Sequence, residues 1–399
     1  MQFENVIGQV AVKRHLIDLI LQNRLSHALL FLGKEGSGSL SMALAFAQYI
    51  VCTSDKAAQE PPLFSEALSS PLIPGAVDSC GKCPSCIKAK QYIHPDIHFT
   101  FPVIPKKTGT PPVSDDYISE WREFITITPY GNVYDWLQFL GAENKQGNIT
   151  AEECNQIIHK LSLKAFESRY KILIMWMPEF LGKEGNKLLK LIEEPPPDTL
   201  FIFVAEDENS ILPTILSRTQ LIKIPRLFNA EIERALTGIP NVTPGRAARI
   251  AGLSEGNYRE ALQLLQNEEQ DWQGHIREWL NVILKNNAAG QVKWIEEMSQ
   301  VGREKQKQFI RYFIHLLGQA VRVRFIDEPD IELHIPENEK DFALRLNKLC
   351  SMEVQEAIIN ELDKAIFYIE RNAHAKMLFH ALSIRLYHII KDNSLILVS

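Results

Sequence analysis

The sequence predicts an α/β protein in which a parallel sheet carries helices on both faces and an all-helical part follows. Up to about residue 227, short apolar runs of strand length alternate with segments of helical periodicity. Beyond it the strand-like runs disappear: residues 229–268 predict short helices, and residues 272–392 predict long ones with an interruption near 327–340. Alternating strands and helices indicate a parallel sheet with covered faces, whereas consecutive amphipathic helices indicate a bundle.

Four apolar runs are the candidate strands. They are HALLFLG (27–33), YKILIMWM (170–177), LFIFVAED (200–207) and the short LIKI (221–224). Their continuous apolar character is typical of strands buried on both faces of a sheet. The first run leads through a glycine-containing loop into SMALAFAQYIV (41–51), whose apolar residues have helical spacing.

The segments between these runs are less regular. Residues 53–79, rich in Ser, Pro and Ala, predict a loosely ordered loop, and residues 101–145 contain a proline-broken connector and YISEWREFITI, a helix or an edge strand. Thr150, three residues before Glu153, is a candidate N-cap for the helix that follows. LGKEGNKLLKLIEEPPPDT (181–199) predicts a helix that is stopped by prolines.

Composition limits the classes of protein that the chain can represent. A length of 399 residues predicts two or three domains, and a net charge of -6 gives no overall attraction to nucleic acid. The start, MQFENVIGQ, lacks the basic region of a secretory signal, and no apolar run reaches the length of a membrane span. We therefore expect a cytoplasmic protein without a membrane contact.

GKEGSGSLS (33–41) resembles the opening of a phosphate-binding loop. Gly33 and Gly38 have the spacing of G-x-x-x-x-G-K-[ST], but Ser39 and Leu40 stand where lysine and a hydroxyl residue are required. Gly36 and the other glycines can still present backbone N–H groups to a phosphate. The candidate nucleotide-binding residues are thus Gly33, Gly36, Gly38 and Ser39, in a degenerate loop for which ATP or ADP binding is doubtful.

The cysteines indicate a metal site. Cys80, Cys83 and Cys86 form C-x₂-C-x₂-C, and Cys52 lies 28 positions upstream at the end of a predicted helix. Three closely spaced thiolates and a fourth ligand suit tetrahedral structural zinc, which this spacing favours over an iron–sulfur cluster.

Cys52 is the expected fourth metal ligand. His94 and His98 are alternatives to Cys52, because both follow the cysteine knuckle closely. Cys154 and Cys350 have no such neighbours and are expected to be buried, unreactive thiols.

Together these motifs resemble the AAA+ subunits of the bacterial DNA polymerase III clamp loader, the gamma/tau/delta-prime family. The resemblance is carried by FENVIGQ, NRLSHALLFLG, the four cysteines, HPD (94–96), YKILIM, NKLLKLIEEPP and LPTILSRT, and it spans roughly residues 1–265. It implies an AAA+ core over 1–227, a helical lid over 228–268 and a helical collar over 269–399. The core would contain the zinc module (52–86) and an insertion at about 101–145.

The same resemblance implies partners. They would be the gamma/tau ATPase subunits and the delta subunit in a hetero-oligomeric ring, with the sliding clamp and primed DNA contacted through the complex. Family ATPases carry Asp-Glu at the end of the second strand, where this chain has Trp176 and Met177. The phosphate loop lacks its lysine and the strand lacks its Mg²⁺ ligand, so we expect no intrinsic ATPase activity.

One catalytic element of the family is retained. The family motif Ser-Arg-Cys contributes its arginine to the ATP site of a neighbouring subunit, and the matching residues are Ser217, Arg218 and Thr219. Arg218 is therefore the candidate arginine finger acting in trans. Arg259 aligns with the lid arginine that senses γ-phosphate in family ATPases, but without the catalytic loop we expect a solvated residue on a helix face.

Two alternatives remain at this level. The chain could be an active gamma/tau-like ATPase with an unusual phosphate loop, or a zinc-bearing nucleic-acid-binding protein with Lys82, Lys88 and Lys90 near its cysteines. The acidic net charge and the lack of interleaved aromatic residues disfavour the second alternative.

Overall fold

A parallel sheet forms the centre of the N-terminal unit. The computed structural model describes residues 1–54, 78–106, 109–142, 145–266, 272–285, 287–325, 337–370 and 373–391. It divides into two units, Met1–Gln266 and Asn267–Ser399, which are described separately. The loop predicted over 53–79 lies almost wholly outside the described residues, as does most of the interruption predicted near 327–340.

Within the described residues the sheet has five parallel strands in the order β2-β3-β4-β1-β5. The strands are β1 Ala28–Leu32, β2 Ile97–Thr100, β3 Lys171–Trp176, β4 Thr199–Ala205 and β5 Gln220–Lys223. In the central register Leu30 lies between Phe203 of β4 and Leu221 of β5. The four strands predicted from the sequence are confirmed. The edge strand β2 was not predicted, because its sequence IHFT alternates apolar and polar residues and shows no apolar run.

Successive side chains of the strands pack into separate cores on the two faces of the sheet. Leu29 and Phe31 contribute to one core, together with residues of the first two helices and of the 101–145 segment. Leu30 and Phe203 contribute to the other, with residues of the helix that follows Thr150. Burial on both faces explains why these strands are continuous apolar runs in the sequence.

Helices cover both faces of the sheet in this unit, and further helices form a small cluster at its C-terminal end. They are α1 Val10–Leu21, α2 Ser39–Val51, α3 Pro84–Lys90, α4 Ile118–Ile127, α5 Val133–Phe139, α6 Ala151–Ser162, α7 Leu189–Glu193, α8 Pro213–Leu216, α9 Asn229–Thr237, α10 Pro244–Leu253 and α11 Tyr258–Gln266. The hydroxyl of Thr150 accepts a hydrogen bond from the N–H of Glu153, so the predicted N-cap is confirmed.

The helix predicted over 181–199 is wrong in extent. Pro178–Leu188 forms 3₁₀ turns, and only Leu189–Glu193 is α-helical. Gly182 has φ 53° and ψ -146°, a conformation that no helix accommodates and that glycine adopts readily. The apolar spacing of this segment is helical, but the backbone at Gly182 interrupts the hydrogen-bond ladder.

The 101–145 segment packs against the sheet through an aromatic cluster. All but the first residue of YISEWREFITI forms helix α4, which settles the choice between helix and edge strand. Trp121 of α4 stacks on Phe101 with a ring-centroid distance of 4.2 Å, and Trp136 of α5 meets Trp121 edge-on at 5.4 Å. Trp176, at the end of β3, lies 5.1 Å from Trp121. The segment is thus part of the core of this unit.

The second unit is helical in its described residues. Its helices are α12 Trp272–Leu284, α13 Ala288–Gln300, α14 Arg303–Phe325, α15 Glu337–Leu349, α16 Met352–Glu370 and α17 Ala375–Lys391. Trp279 stacks on Trp294 at 4.8 Å, and its indole N–H donates to the Ser383 hydroxyl at 2.9 Å, which joins α12, α13 and α17. Across the described part of the chain, no helix combines the length and apolar character needed to cross a bilayer.

Candidate functional site

The glycine loop connects β1 to α2, as the sequence predicts. Gly36 and Gly38 have φ values of 70° and 90°, so both depend on the conformational freedom of glycine. Gly33 is also restricted by space, because an added Cβ would lie 2.4 Å from the Ser39 hydroxyl oxygen. Ser39 begins α2, and its hydroxyl is hydrogen-bonded to that of Ser37 at 3.0 Å. The two hydroxyls are buried and paired with each other.

The end of β3 offers no carboxylate to this loop. Trp176 is only 3 % exposed and belongs to the aromatic cluster formed with α4 and α5. Met177 follows it in a left-handed conformation, with φ 59°, and its N–H donates to the carbonyl of Val204. Apolar side chains therefore occupy the positions where a Mg²⁺ ligand and a water-orienting carboxylate would be needed.

The cavity at this edge of the sheet is very small. Its volume is about 20 Å³, which is room for roughly one water molecule. Its walls are formed by the glycine loop, the ends of β3 and β4, and three residues of the 101–145 segment, Pro129, Tyr130 and Gly131. Small-molecule pockets typically have volumes of about 300–1,000 Å³. In this conformation the cavity does not have the space for a nucleotide.

Acidic side chains lie close to the cavity. Burial raises the pKa of Glu206 to about 8, and the negative charges of Glu35 and Glu179 add to the shift, while Arg259 and Lys34 oppose it. Burial also raises the pKa of Glu179, although its Oε1 accepts hydrogen bonds from the N–H groups of Glu206 (2.7 Å) and Asp207 (3.1 Å). Both shifts favour the neutral, protonated carboxyl, so neither residue offers a nucleotide phosphate a compensating charge.

Arg259 is not the solvated residue expected from the sequence. Its side chain is 3 % exposed and forms ion pairs with Asp135 (Nε–Oδ2, 2.5 Å) and Glu35 (Nη1–Oε1, 2.8 Å). A second nitrogen, Nη2, donates to Asp135 Oδ1 at 2.6 Å, so the contact with Asp135 is bidentate. The earlier expectation is wrong because the two carboxylates come from distant parts of the sequence and enclose the guanidinium.

Arg218 lies at the surface. It follows helix α8, and its side chain is 33 % exposed. Its Nε donates to Glu193 Oε1 at 2.6 Å, and its Nη1 donates to the carbonyl of Thr214 at 2.8 Å and the hydroxyl of Ser217 at 3.0 Å. The guanidinium is thus oriented by three acceptors while part of it stays accessible from outside the unit.

The four cysteines of the predicted metal site come together. The sulfur atoms of Cys52, Cys80, Cys83 and Cys86 all lie within 4.8 Å of one another, and those of Cys80 and Cys86 are 3.9 Å apart. A tetrahedral zinc ion with Zn–S bonds of about 2.3 Å needs S–S separations of about 3.8 Å. The donor set therefore fits zinc, and four thiolates would leave no open coordination position, as in structural sites.

The surroundings of the sulfurs also suit a metal. The N–H groups of Cys80, Cys83 and Cys86 each point at a cysteine sulfur 3.3–3.4 Å away. Hydrogen bonds from the backbone of Lys82 and Cys83 lower the pKa of Cys80, whereas burial and the neighbouring thiols raise that of Cys86. A cation among the sulfurs would favour the thiolate at all four positions.

Cys52 takes the fourth position of the cluster, at the C-terminal end of α2. His94 is held elsewhere, since its Nδ1 accepts from the Asp96 N–H at 3.2 Å and its Nε2 lies 3.2 Å from Glu167 Oε1. His98 belongs to strand β2. Neither histidine is part of the cluster.

The comparison with known families agrees with this architecture. The family model described as "DNA polymerase III, delta subunit" matches residues 8–228, more than half of the chain. The chain belongs to the clamp-loader family of DNA polymerase III subunits. Together with the parallel sheet and its covering helices, this membership confirms the predicted α/β AAA+ fold class.

Curated relatives of this clamp-loader family member include several subunit types. The chain is 26% identical over 262 residues to the DNA polymerase III subunit delta' of Bacillus subtilis, covering 65% of this chain and 60% of that protein. It is 25% identical over 297 residues to the tau subunit of the same organism, covering 73% of this chain and 42% of that protein. The matched region thus spans less than two thirds of either relative.

Solved structures with detectable likeness include two replication proteins. A gamma subunit-related protein of Thermotoga maritima is 13% identical with a TM-score of 0.36, covering 96% of this chain and all of that chain. The clamp loader delta protein of Bacillus subtilis is 14% identical with a TM-score of 0.25, covering 75% of this chain and 98% of that chain.

Sequence reasoning missed the residues that line the cavity beside the glycine loop or bind Arg259. Tyr130 and Asp135 lie in the 101–145 segment, for which the sequence suggested no role, and Glu35 lies inside the glycine loop without belonging to its pattern. No local signal marks them. Asp135 and Arg259 are 124 positions apart, so only the folded chain brings them together.

Proposed function

We propose that this chain is a delta-prime-type subunit of the DNA polymerase III clamp loader that does not hydrolyse ATP. It completes an AAA+ ring with gamma/tau ATPase subunits and the delta subunit. Within that ring Arg218, oriented by Ser217, acts at the ATP site of a neighbouring subunit while the sliding clamp is loaded onto primed DNA. The proposal rests on the family and on two features of the N-terminal unit. They are the small cavity beside the glycine loop and the surface residue Arg218.

The observation that carries the proposal is the filled nucleotide cavity. A volume of about 20 Å³ and walls that include Trp176 and Leu40 leave no space for a triphosphate, and the end of β3 supplies no Mg²⁺ ligand. Losing the catalytic lysine alone would be compatible with nucleotide binding. Loss of the lysine, the metal ligand and the cavity together supports a subunit whose own site has no chemical role.

The exposure of Arg218 supports the proposal that this residue acts at the ATP site of a neighbouring subunit. A planar, permanently charged guanidinium that remains accessible at the surface can neutralise phosphoryl charge on a neighbouring subunit. Its present partner, Glu193, has a side chain that is 46 % exposed, and exposed ion pairs of this kind contribute little to stability. Replacing the contact of Arg218 with Glu193 by a contact with a phosphate oxygen therefore costs the chain little stability.

The remaining parts have structural roles in this proposal. Residues 228–268 form the lid of the AAA+ core, and residues 269–399 form the collar through which the subunits of the ring associate. Zinc bound by Cys52, Cys80, Cys83 and Cys86 fixes the knuckle against α2. The retained glycines of the phosphate loop shape a turn and do not hold a nucleotide.

The experiment is steady-state ATP hydrolysis by the reconstituted ring, with wild-type or Arg218→Ala protein at equal assembly. Arginine fingers supply on the order of 10³ to 10⁵ in rate, but only the one ATP site that faces Arg218 loses it, so total turnover falls by a smaller factor. Clamp loading onto primed DNA should fall with it. Arg218→Lys should restore little, because lysine lacks the planar fork.

A matched control is Arg169→Ala. Arg169 is an exposed arginine of the same unit, 3.6 Å from its carboxylate partner Asp198, and it should be neutral in the same assay. Equal turnover and clamp loading by Arg218→Ala and wild-type rings would reduce this chain to a scaffold. Mg²⁺-dependent ATP turnover by the isolated wild-type chain would instead favour the alternative of an active ATPase.

A further inference from the structure

Residues 129–131 line the cavity beside the glycine loop, and the same segment continues to Asp135. Tyr130 is 7 % exposed, and its ring lies directly over the glycine loop: a Cβ added to Gly38 would meet the ring carbon Cε1 at 2.9 Å. Pro129 and Gly131 complete this wall of the cavity. The space above the phosphate loop is therefore occupied by protein atoms.

Three separate parts of the N-terminal unit contact Pro129 and Tyr130. The Tyr130 hydroxyl accepts a hydrogen bond from the N–H of Ile7 at 2.8 Å, and the Ser41 hydroxyl of α2 donates to the carbonyl of Pro129 at 2.9 Å. The ring of Tyr130 meets that of Tyr258 edge-on, with the centroids 5.0 Å apart. The last contact joins the segment to helix α11, the third of the small helical cluster formed by α9, α10 and α11.

The glycine loop itself is bound to the same helix. The carbonyl of Gly36 accepts a hydrogen bond from the N–H of Tyr258 at 3.2 Å, and a Cβ at Gly36 would meet the Asn257 side-chain oxygen at 1.9 Å. Asn257 also donates through its side-chain nitrogen to Glu35 Oε1 at 3.2 Å. The loop that would surround a phosphate is thus closely packed against the start of α11.

Arg259 joins the 129–135 segment to the glycine loop through ion pairs. Its buried guanidinium binds Asp135 of the 129–135 segment and Glu35 of the glycine loop, and Asn132 donates to the second oxygen of Glu35 at 3.0 Å. Removing one partner of such a buried ion pair leaves an uncompensated charge, which makes the contact costly to open. The helical cluster, the loop and the inserted segment are joined through one cation.

We infer that residues 129–135 are an intramolecular occupant of the nucleotide pocket that fixes α9–α11 on the sheet and makes their position independent of nucleotide. The occupant supplies the aromatic ring that fills the cavity and the carboxylate that binds Arg259. This assigns a role to part of the 101–145 segment. The inference does not depend on Arg218. The ATPase experiment with the ring and the hydrogen-exchange experiment below therefore test different claims, and either claim can fail without the other.

Hydrogen exchange in the full-length chain tests the inference. In wild-type protein, exchange at the amides of α10 and α11 should be the same with and without millimolar Mg²⁺-ATP. Asp135→Asn removes one charge while its side-chain oxygen can still accept from the N–H of Asn132, so the turn should be retained. Exchange in α10 and α11 should become about 10- to 100-fold faster, since charge-assisted hydrogen bonds are lost, while β3 and β4 stay unchanged.

Matched variants separate the effect from general destabilisation. Asp115→Asn removes an exposed carboxylate of the same segment, paired with Lys160, and should leave exchange in α10 and α11 unchanged. Tyr130→Ala should accelerate that exchange, whereas Tyr130→Phe, which keeps the ring, should do so far less. Slower exchange of α11 in wild-type protein on adding Mg²⁺-ATP would overturn the inference, as would wild-type exchange rates in both Asp135→Asn and Tyr130→Ala.

Discussion

Replacing Trp176 by aspartate would restore the residue type that ATPases of this family carry at the end of the second strand. In this chain the change should destabilise the N-terminal unit and restore no chemistry. Trp176 is 3 % exposed, with its ring centroid 5.1 Å from that of Trp121 and 6.2 Å from that of Phe124. An aspartate there loses both contacts and places a carboxylate among aromatic rings.

The expected magnitude follows from these contacts. Truncating a buried tryptophan costs about 3–5 kcal/mol, and an unpaired carboxylate in an apolar environment adds to that cost. We therefore expect the free energy of unfolding of this unit to fall by at least about 4 kcal/mol, a large part of the usual 5–15 kcal/mol of a domain. The control, Trp176→Phe, keeps an aromatic ring and should cost about 1–2 kcal/mol.

Native-state hydrogen exchange at the amides of β3 and β4 measures this unit separately from the helical one. A loss of about 4 kcal/mol corresponds to roughly 10³-fold faster exchange of the slowest amides. Equilibrium dialysis with Mg²⁺-ATP should detect no binding by either variant. Wild-type exchange rates in Trp176→Asp, or Mg²⁺-dependent ATP binding by it, would refute the view that the lost carboxylate has been replaced by core packing.

Three further predictions concern the zinc site, a buried acid and the phosphate loop. Metal analysis of reductively purified protein should find one zinc per chain; Cys52→Ser should bind it more weakly, whereas Cys154→Ser should not, and protein without zinc would end the assignment. Because the pKa of Glu206 is raised from 4.5 to about 8, the folded state binds more protons than the unfolded state within that interval. Wild-type stability relative to Glu206→Gln should thus fall as pH rises across it, by at most about 1.4 kcal/mol per pH unit, and pH-independent unfolding differences between the two would contradict the burial argument. Ser39→Lys should not gain ATP hydrolysis, since the cavity and the end of β3 are unchanged, and measurable turnover by this variant would show that the lysine alone was missing.

The sequence predicts the parts of this protein that depend on local pattern. Strands β1, β3 and β4 appear as apolar runs because strands buried on both faces need mostly apolar side chains, whereas the short β5 is a partly exposed edge strand. The glycine loop is recognisable because Gly36 and Gly38 adopt left-handed conformations. The cysteine knuckle is recognisable because three of its four sulfurs come from seven consecutive residues. The absence of a catalytic lysine is likewise visible in the letters at positions 39 and 40.

The prediction fails where distant segments or the backbone conformation of a single residue decide the outcome. Arg259 has the helical spacing of a solvated residue, yet Asp135 and Glu35, 124 and 224 positions away, enclose it. The backbone at Gly182 interrupts a segment whose apolar spacing is helical. Strand β2 is formed by four residues that hydrogen-bond to β3 along one edge, and their own sequence, IHFT, contains no apolar run that would indicate it.

By itself the sequence determined that a phosphate loop is present without its catalytic residues, since that conclusion needs only the identity of neighbouring residues. Only the tertiary structure decided that the site is closed. Whether a cavity is empty or filled depends on which remote segment packs into it, and periodicity within a segment carries no information about that choice. Tyr130 covers Gly38 and Asp135 binds Arg259 because the 101–145 segment is fixed on the sheet by its aromatic cluster. The fold thereby replaces the space for a nucleotide with the chain's own side chains.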